Sequence, residues 1–254
     1  MQESPITAAP PASLDGSAAL AQALASRICH DLVSPVGAIT NGVDLVQELG
    51  SAGAEEIAMI GQSAARAATM LAFHRLAFGA AGADAPPMAR PALAALLSDM
   101  LAGSRVRVDL DGAGGPALPR PAARAVALAT LCARGLLGMQ GRLMLTIPAG
   151  GAWPARIAAE GAAPAHRAAR LALLARAAAA APGEDTGAGT GADKGADKAA
   201  ATGENPGENP GAEPGRIDPR LIEFHLLGPA VAAAGAALAL ETAADGAALC
   251  LRAA

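Results

Sequence analysis

The chain has 254 residues, of which 52% are hydrophobic, 2% aromatic and 17% charged, with a formal net charge of −4. That is apolar material for one large domain or two small ones. The acidic balance excludes an electrostatic footprint for nucleic acid or an anionic membrane surface, and three Phe, one Trp and no Tyr offer little to stack on nucleobases.

Residues 1–16 are rich in Pro and Ala and read as a disordered tail. The opening "MQESPITAAPPASLDGS" has an early acid and no basic stretch, so it does not read as a signal peptide. From Ser17 to Leu49 apolar residues recur every three or four positions: Leu20, Leu24, Ile28, Leu32, Pro35, Ile39, Val43, Val46. That is the helical period. "GSAGAEE" (50–56) stops this helix and starts another that runs to about Phe78, with Ile57, Ile60, Ala64, Ala67 and Leu71 in its stripe. Residues 17–80 therefore predict a helical hairpin. Two helices cannot bury both stripes by themselves, so the pattern predicts pairing with a second copy in a four-helix bundle.

"GAAGADAPPMARP" (79–91) has the Gly/Pro content of a linker, taken here as 81–91. The texture then changes. A helix over 92–102 precedes the alternating "RVRVDL" (105–110), a strand pattern. "DGAGG" reads as a loop and residues 119–138 as a helix. "GRLMLTIP" and "PARIAAE" read as strands, and residues 164–181 as a helix. A helix over 218–235 and the hairpin "LALETA"/"AALCLRA" close the chain. Residues 92–254 thus predict an α/β sandwich, helices layered on one sheet. Residues 182–215, with "GADKGADK" and "GENPGENP", hold almost nothing apolar and read as a disordered insertion.

No stretch reaches the roughly 18 uncharged apolar residues of a membrane span. "LLGPAVAAAGAALAL" (226–240) comes nearest and is broken by Pro229. Cys29, Cys132 and Cys250 are scattered, with no CxxC, and read as reduced, buried thiols of a cytoplasmic protein. No metal ligand set is expected, and no two histidines have HExxH spacing.

The chemistry-bearing stretch is "SRICHDLVSP" (26–35). On a wheel at about 100° per residue, Ile28, Leu32 and Pro35 point inward and His30 outward. Ala23, Ser34, Gly37 and Asn41 share the His30 face, and these small neighbours leave room for another protein. An exposed imidazole is substantially neutral at pH 7 and can act as a nucleophile. Asp31 follows directly and reaches the ring only obliquely, where it can accept a proton or fix the tautomer. Arg27, one turn back, suits an acidic partner or a phosphoryl oxygen. Ser34 lies one turn forward, and Pro35 deprives the Asp31 carbonyl of its helical partner, so a bend is expected. His74, His166 and His225 are read as packing residues of their helices, and Trp153 as packing between sheet and helix. The pair His30–Asp31 also occurs in metal-dependent phosphohydrolases, but no second ligand cluster accompanies it here.

"CHDLVSP" resembles the phosphoacceptor motif of two-component signalling proteins. More closely, "LASRICHDLVSPVGAITNGVDLV" with "RLAFGAAG" resembles the ChpT-type bacterial histidine phosphotransferases. The likeness is strong over 17–82 and looser, in the same order, down to "IDPRLIEFHLLGPAVAAAGAALAL". It implies a homodimer built on a histidine-bearing hairpin, followed by a degenerate histidine-kinase ATPase-like domain. It also implies that His30 shuttles a phosphoryl group between the receiver domain of a hybrid histidine kinase and downstream response regulators. Asp31 is then the adjacent acid, with Arg27 and Ser34 in support. No cofactor of the chain's own is implied, since Mg2+ would come with the receiver.

The alternatives are an ATP-dependent sensor histidine kinase and a non-catalytic dimeric scaffold. A kinase calls for a helix carrying Asn and a later DxGxG loop. "PAARAVALATLCARGLLG" (121–138) has no Asn, and "AAEGAAPAHRAA" has no Asp and a single Gly. "DLDGAGG" (109–115) precedes the helix, in the wrong order, and GxxxxGK[ST] is absent. No nucleotide partner is expected.

Overall fold

The computed structural model describes residues 16–51, 53–79, 85–102, 105–111, 114–137, 140–148, 155–161, 167–180, 217–243 and 246–253. The expected tail, apart from Gly16, and the expected insertion at 182–215 lie outside the described residues, as do Trp153 and His166.

The hairpin forms from α1 (Gly16–Leu49) and α2 (Ala54–Ala77). Helix α1 runs unbroken through Pro35, which is buried. It ends at Gly50, whose φ of 67° is the left-handed conformation glycine adopts without a Cβ penalty. The two helices touch closely at Gly42, where a Cβ would sit 2.6 Å from Cγ1 of Ile60. Small residues at the contact are what an Ala/Gly-rich sequence supplies.

Five strands follow, interleaved with helices: α3 (Arg90–Leu101), β1 (Arg105–Asp111), α4 (Arg120–Gly135), β2 (Gln140–Thr146), β3 (Ala155–Glu160), α5 (Arg167–Ala180), a 3-10 turn (Pro219–Leu221), α6 (Ile222–Ala233), β4 (Ala236–Thr242) and β5 (Gly246–Ala253). The sheet order is β1-β2-β3-β5-β4. β1 and β2 are parallel, joined through α4, and every other pair is antiparallel. The molecule is thus mixed, a helical hairpin with helices on a five-stranded sheet. The predicted element types hold and only their ends move, the largest change being that the last helix opens with a 3-10 turn.

One sheet face carries Leu143, Leu145, Ile157, Leu249 and Leu251, all buried, because alternate residues share a face. Helices α4, α5 and α6 cover the sheet. Arg142–Asp109 and Arg156–Glu241 are half-exposed ion pairs on strand residues. Helix α4 is Ala-rich and buried over most of its surface, which lets it sit close to its neighbours. Gly228 does the same between α6 and α5, where a Cβ would meet the Ala177 carbonyl at 3.0 Å.

The base of the hairpin belongs to the same core. Ala23, Phe73, Leu76 and Ala77 are buried in one apolar cluster with α3, α4 and α6. Arg90, at 2% exposure, ties the chain after the hairpin to the sheet domain. Its Nε donates to the Pro116 carbonyl at 2.9 Å, and its Nη1 to those of Ile147 and Pro148 at 2.9 and 2.8 Å. The far end of the hairpin is different. Val43, Leu49 and Ile57 remain exposed there, as do Val33, Val36 and Leu71 nearer its middle.

Candidate functional site

His30 projects from the middle of α1 with its side chain 75% exposed, as the helical period requires once Pro35 points inward. Its Nδ1 faces Oδ1 of Asp31 at 3.4 Å, a long contact between sequence neighbours. The other carboxylate oxygen, Oδ2, accepts two shorter bonds, from Arg27 Nε at 2.9 Å and His74 Nε2 at 3.2 Å. Asp31 is therefore held from two sides while one oxygen is left for the exposed ring.

Arg27 reaches further. Its Nη1 contacts Oε2 of Glu223 and the Arg220 carbonyl, both at 3.4 Å. Glu223, at the start of α6, is 5% exposed. One guanidinium so joins α1 to the domain behind it. Its planar, permanently charged fork suits that bridging position.

The charges follow the geometry. Burial opposes ionisation of Asp31, but the hydrogen bonds from His74 and Arg27 and the Arg27 charge outweigh it, bringing the carboxyl down to about 2. Asp31 is an anion at any physiological pH. Burial pushes the Glu223 carboxyl up, and Arg27 only partly offsets this. Arg27 itself is raised, its burial outweighed by Glu223 and Asp31.

Beside His30 opens a cavity of about 460 Å³ between α1 and the helices of the second domain. Arg134, Arg170, Asp218 and Arg220 line it together with Arg27 and Glu223. Arg170 donates from Nη1 to the Gly135 carbonyl. Among the described residues no group of three or more His, Cys, Asp or Glu side chains has the arrangement of a metal site.

Of the residues named from the sequence, His30, Asp31 and Arg27 are brought together. Ser34 is exposed one turn on, with no part in the hydrogen-bonded set. Ala23 departs from expectation. It was placed on the open His30 face but is 3% exposed, because the 3-10 turn and α6 pack against α1 there. His225, expected to pack, is exposed on α6, and of the three thiols expected to be buried Cys132 and Cys250 are, while Cys29 is exposed because it lies beside His30 on the outer side of α1. His74 does pack, near Phe73 and Phe78 at ring separations of 6.3 and 5.3 Å, but it also binds Asp31, which the sequence reading missed. Glu223 was missed altogether. A signal for His74 existed: it lies about as many residues after the hairpin turn as Asp31 lies before it. A buried polar group needs a partner, and Asp31 is level with it.

No family model matches the chain. Over 59 residues it is 56% identical to the protein phosphotransferase ChpT of Brucella abortus (strain 2308), a stretch covering 23% of this chain and 28% of that relative. The structure of a bacterial phosphotransferase aligns with a TM-score of 0.61 and 22% identity, over 96% of this chain and all of that one. The chain is thus similar to the phosphotransferase ChpT over a local stretch of sequence and to a bacterial phosphotransferase throughout in fold.

Proposed function

We propose that this chain is a histidine phosphotransferase, in which His30 takes a phosphoryl group from an aspartyl phosphate of one receiver domain and passes it to the aspartate of another. The observation that carries the reading is an imidazole, 75% exposed, whose Nδ1 faces an ionised carboxylate. Such a ring needs no base of its own. Phosphoryl transfer asks chiefly for in-line placement and charge stabilisation, and the receiver supplies the acyl phosphate, its Mg2+ and the charge around them. The donor is the receiver of a hybrid histidine kinase and the acceptors are response regulators.

The local identity to a protein phosphotransferase and the fold shared with another support this. So does the composition of α4, the helix corresponding to the one expected to carry a Mg2+-binding Asn in a kinase, which has none. The sheet domain then acts as a degenerate ATPase-like support that holds α1 and presents surface to receivers. The exposed Val36, Val43, Ile57 and Leu71 form the face that a second copy covers in a four-helix bundle. No helix among the described residues is long and apolar enough to cross a membrane, in keeping with work in the cytoplasm.

The test is incubation with a receiver domain carrying phosphate on its aspartate. The wild-type chain should acquire acid-labile, alkali-stable phosphate, and His30→Ala should acquire none. Undiminished labelling of His30→Ala would overturn the assignment. Autophosphorylation from ATP would make the chain a sensor kinase, and no labelling under either condition would make it a scaffold.

A further inference from the structure

We propose that His74 is a positioning residue which, acting through Asp31, holds the His30 ring in the tautomer whose Nε2 carries a bare lone pair. The inference rests on the phosphotransferase reading of His30. It is carried by three residues on two helices rather than by the motif around His30.

A carboxylate can turn about its last bond, so what matters is which oxygen is held. Arg27 and His74 both bind Oδ2 of Asp31, at 2.9 and 3.2 Å. Oδ1 is thereby turned toward His30 Nδ1, at 3.4 Å. The two holders differ in stiffness. Arg27 sits on the same helix, has a long flexible stem and is shared with Glu223. His74 comes from α2, is 5% exposed and is flanked by Phe73 and Phe78. It is the rigid reference against which Asp31 is set.

The direction of the His74 bond follows from its surroundings. Nε2 faces a carboxylate oxygen and must donate. Nδ1 is buried with no hydrogen-bond partner, and a hydrogen there would be a buried, unpaired donor. His74 thus donates from Nε2 to Oδ2, and Oδ1 of Asp31 remains available to His30.

The consequence reaches the reacting atom. When Oδ1 accepts the Nδ1–H of His30, the proton resides on Nδ1 and Nε2 is a free lone pair. That lone pair attacks the phosphorus of the aspartyl phosphate. The N–P bond forms, and the P–O bond breaks with its electrons leaving on the receiver carboxylate. No proton has to leave Nε2. The positive charge that develops on the ring lies next to Asp31, and the reverse step passes the group on. With the carboxylate free to turn, the ring samples the tautomer in which Nε2 bears hydrogen and cannot attack.

Two measurements on the full chain test this. The first is the transfer rate from a phosphorylated receiver, with saturation resolved. The second is the His30 tautomer, read from its ring nitrogen shifts by NMR at a pH where the ring is neutral. His74→Leu should slow transfer by on the order of tenfold, as loss of an outer positioning partner does, leave half-saturation by the receiver unchanged, and shift His30 toward Nε2–H. His74→Gln, which restores an N–H donor at similar reach, should recover most of both. A folded His74→Leu chain with wild-type rate or an unmoved tautomer overturns the proposal. So does finding His30 chiefly as Nε2–H in the unsubstituted chain, a result that needs no variant to fold. If the wild-type chain takes no phosphate while its His30 tautomer still depends on His74, the phosphotransferase reading fails and the positioning role stands.

Discussion

Replacing Arg27 by Met keeps the apolar stem and removes the charge from Glu223 and from Asp31 alike; Asp31 stays ionised from pH 8 to pH 5, so the part of the effect that changes over that range reads Glu223. In the native chain Oε2 of Glu223 lies 3.4 Å from Arg27, with the two side chains 6% and 20% exposed. Breaking a fully buried pair costs about 3–5 kcal/mol because the remaining charge is stranded. Exposed pairs are worth about 1 kcal/mol or less. With Arg27 one-fifth exposed, a loss of about 2–3 kcal/mol at pH 8 is expected, a large share of the roughly 5–15 kcal/mol that holds a domain together. The pH dependence has a definite sign. Burial already raises the Glu223 carboxyl above its usual 4.5, and removing Arg27 raises it further. A carboxyl raised in the folded state binds its proton there more readily than in the unfolded chain. Its favourable contribution is complete below the unfolded value and lost as pH rises through the folded one. The deficit of Arg27→Met should therefore shrink between pH 8 and pH 5. Urea unfolding at both pH values, with Glu223→Gln and the double variant completing a cycle, gives the gap and the coupling, expected at about 1–2 kcal/mol. A deficit below about 0.5 kcal/mol, or one identical at pH 5 and pH 8, would show that Glu223 is not stranded and that the bridge does not tie α1 to α6.

Arg90→Met should destabilise the chain by about 2–4 kcal/mol in urea unfolding, because it leaves the carbonyls of Pro116, Ile147 and Pro148 without their donor; Arg90→Lys, lacking the fork, should recover only part. Val43→Asp, placed on the exposed apolar face at 39% exposure, should halve the mass seen by light scattering without lowering the helical content. A wild-type chain already monomeric at micromolar concentration would remove the basis for that face.

How far the sequence could be read depended on whether a single element or a contact between elements was at stake. The inward Pro35 and outward His30 both follow from one helix and its 3.6-residue period, and both hold in the structure. Ala23 lies on the same wheel and was misplaced, since its surroundings come from α6 and the 3-10 turn, which no wheel of α1 contains. The link from Asp31 to His74 spans 43 residues, and that from Arg27 to Glu223 spans 196. The first becomes visible once the hairpin is drawn and its levels counted. The second requires knowing which side of α1 the sheet domain covers, and nothing in the local pattern of "RLIEFHLL" marks Glu223 as the residue that will face Arg27.

The same geometry separates the surfaces of the hairpin. At about 100° per residue, Val36 and Val43 stand roughly 120–140° around α1 from His30, and the buried Pro35 and Gly42 stand a similar angle away on the other side. Helix α1 thus has three faces: one against α2, one bearing exposed valines and one bearing the imidazole. Val33, 69% exposed, stands about 60° from His30 between the last two faces, so the apolar surface proposed for a second copy reaches the edge of the imidazole face. Arg27 lies about 60° from His30, toward the Pro35 side, and its bond to Glu223 places the sheet domain at the margin of the imidazole face rather than over it. A protein approaching His30 therefore meets the arginine-lined cavity at the edge of its path, and the domain behind α1 can bear on docking without touching the ring.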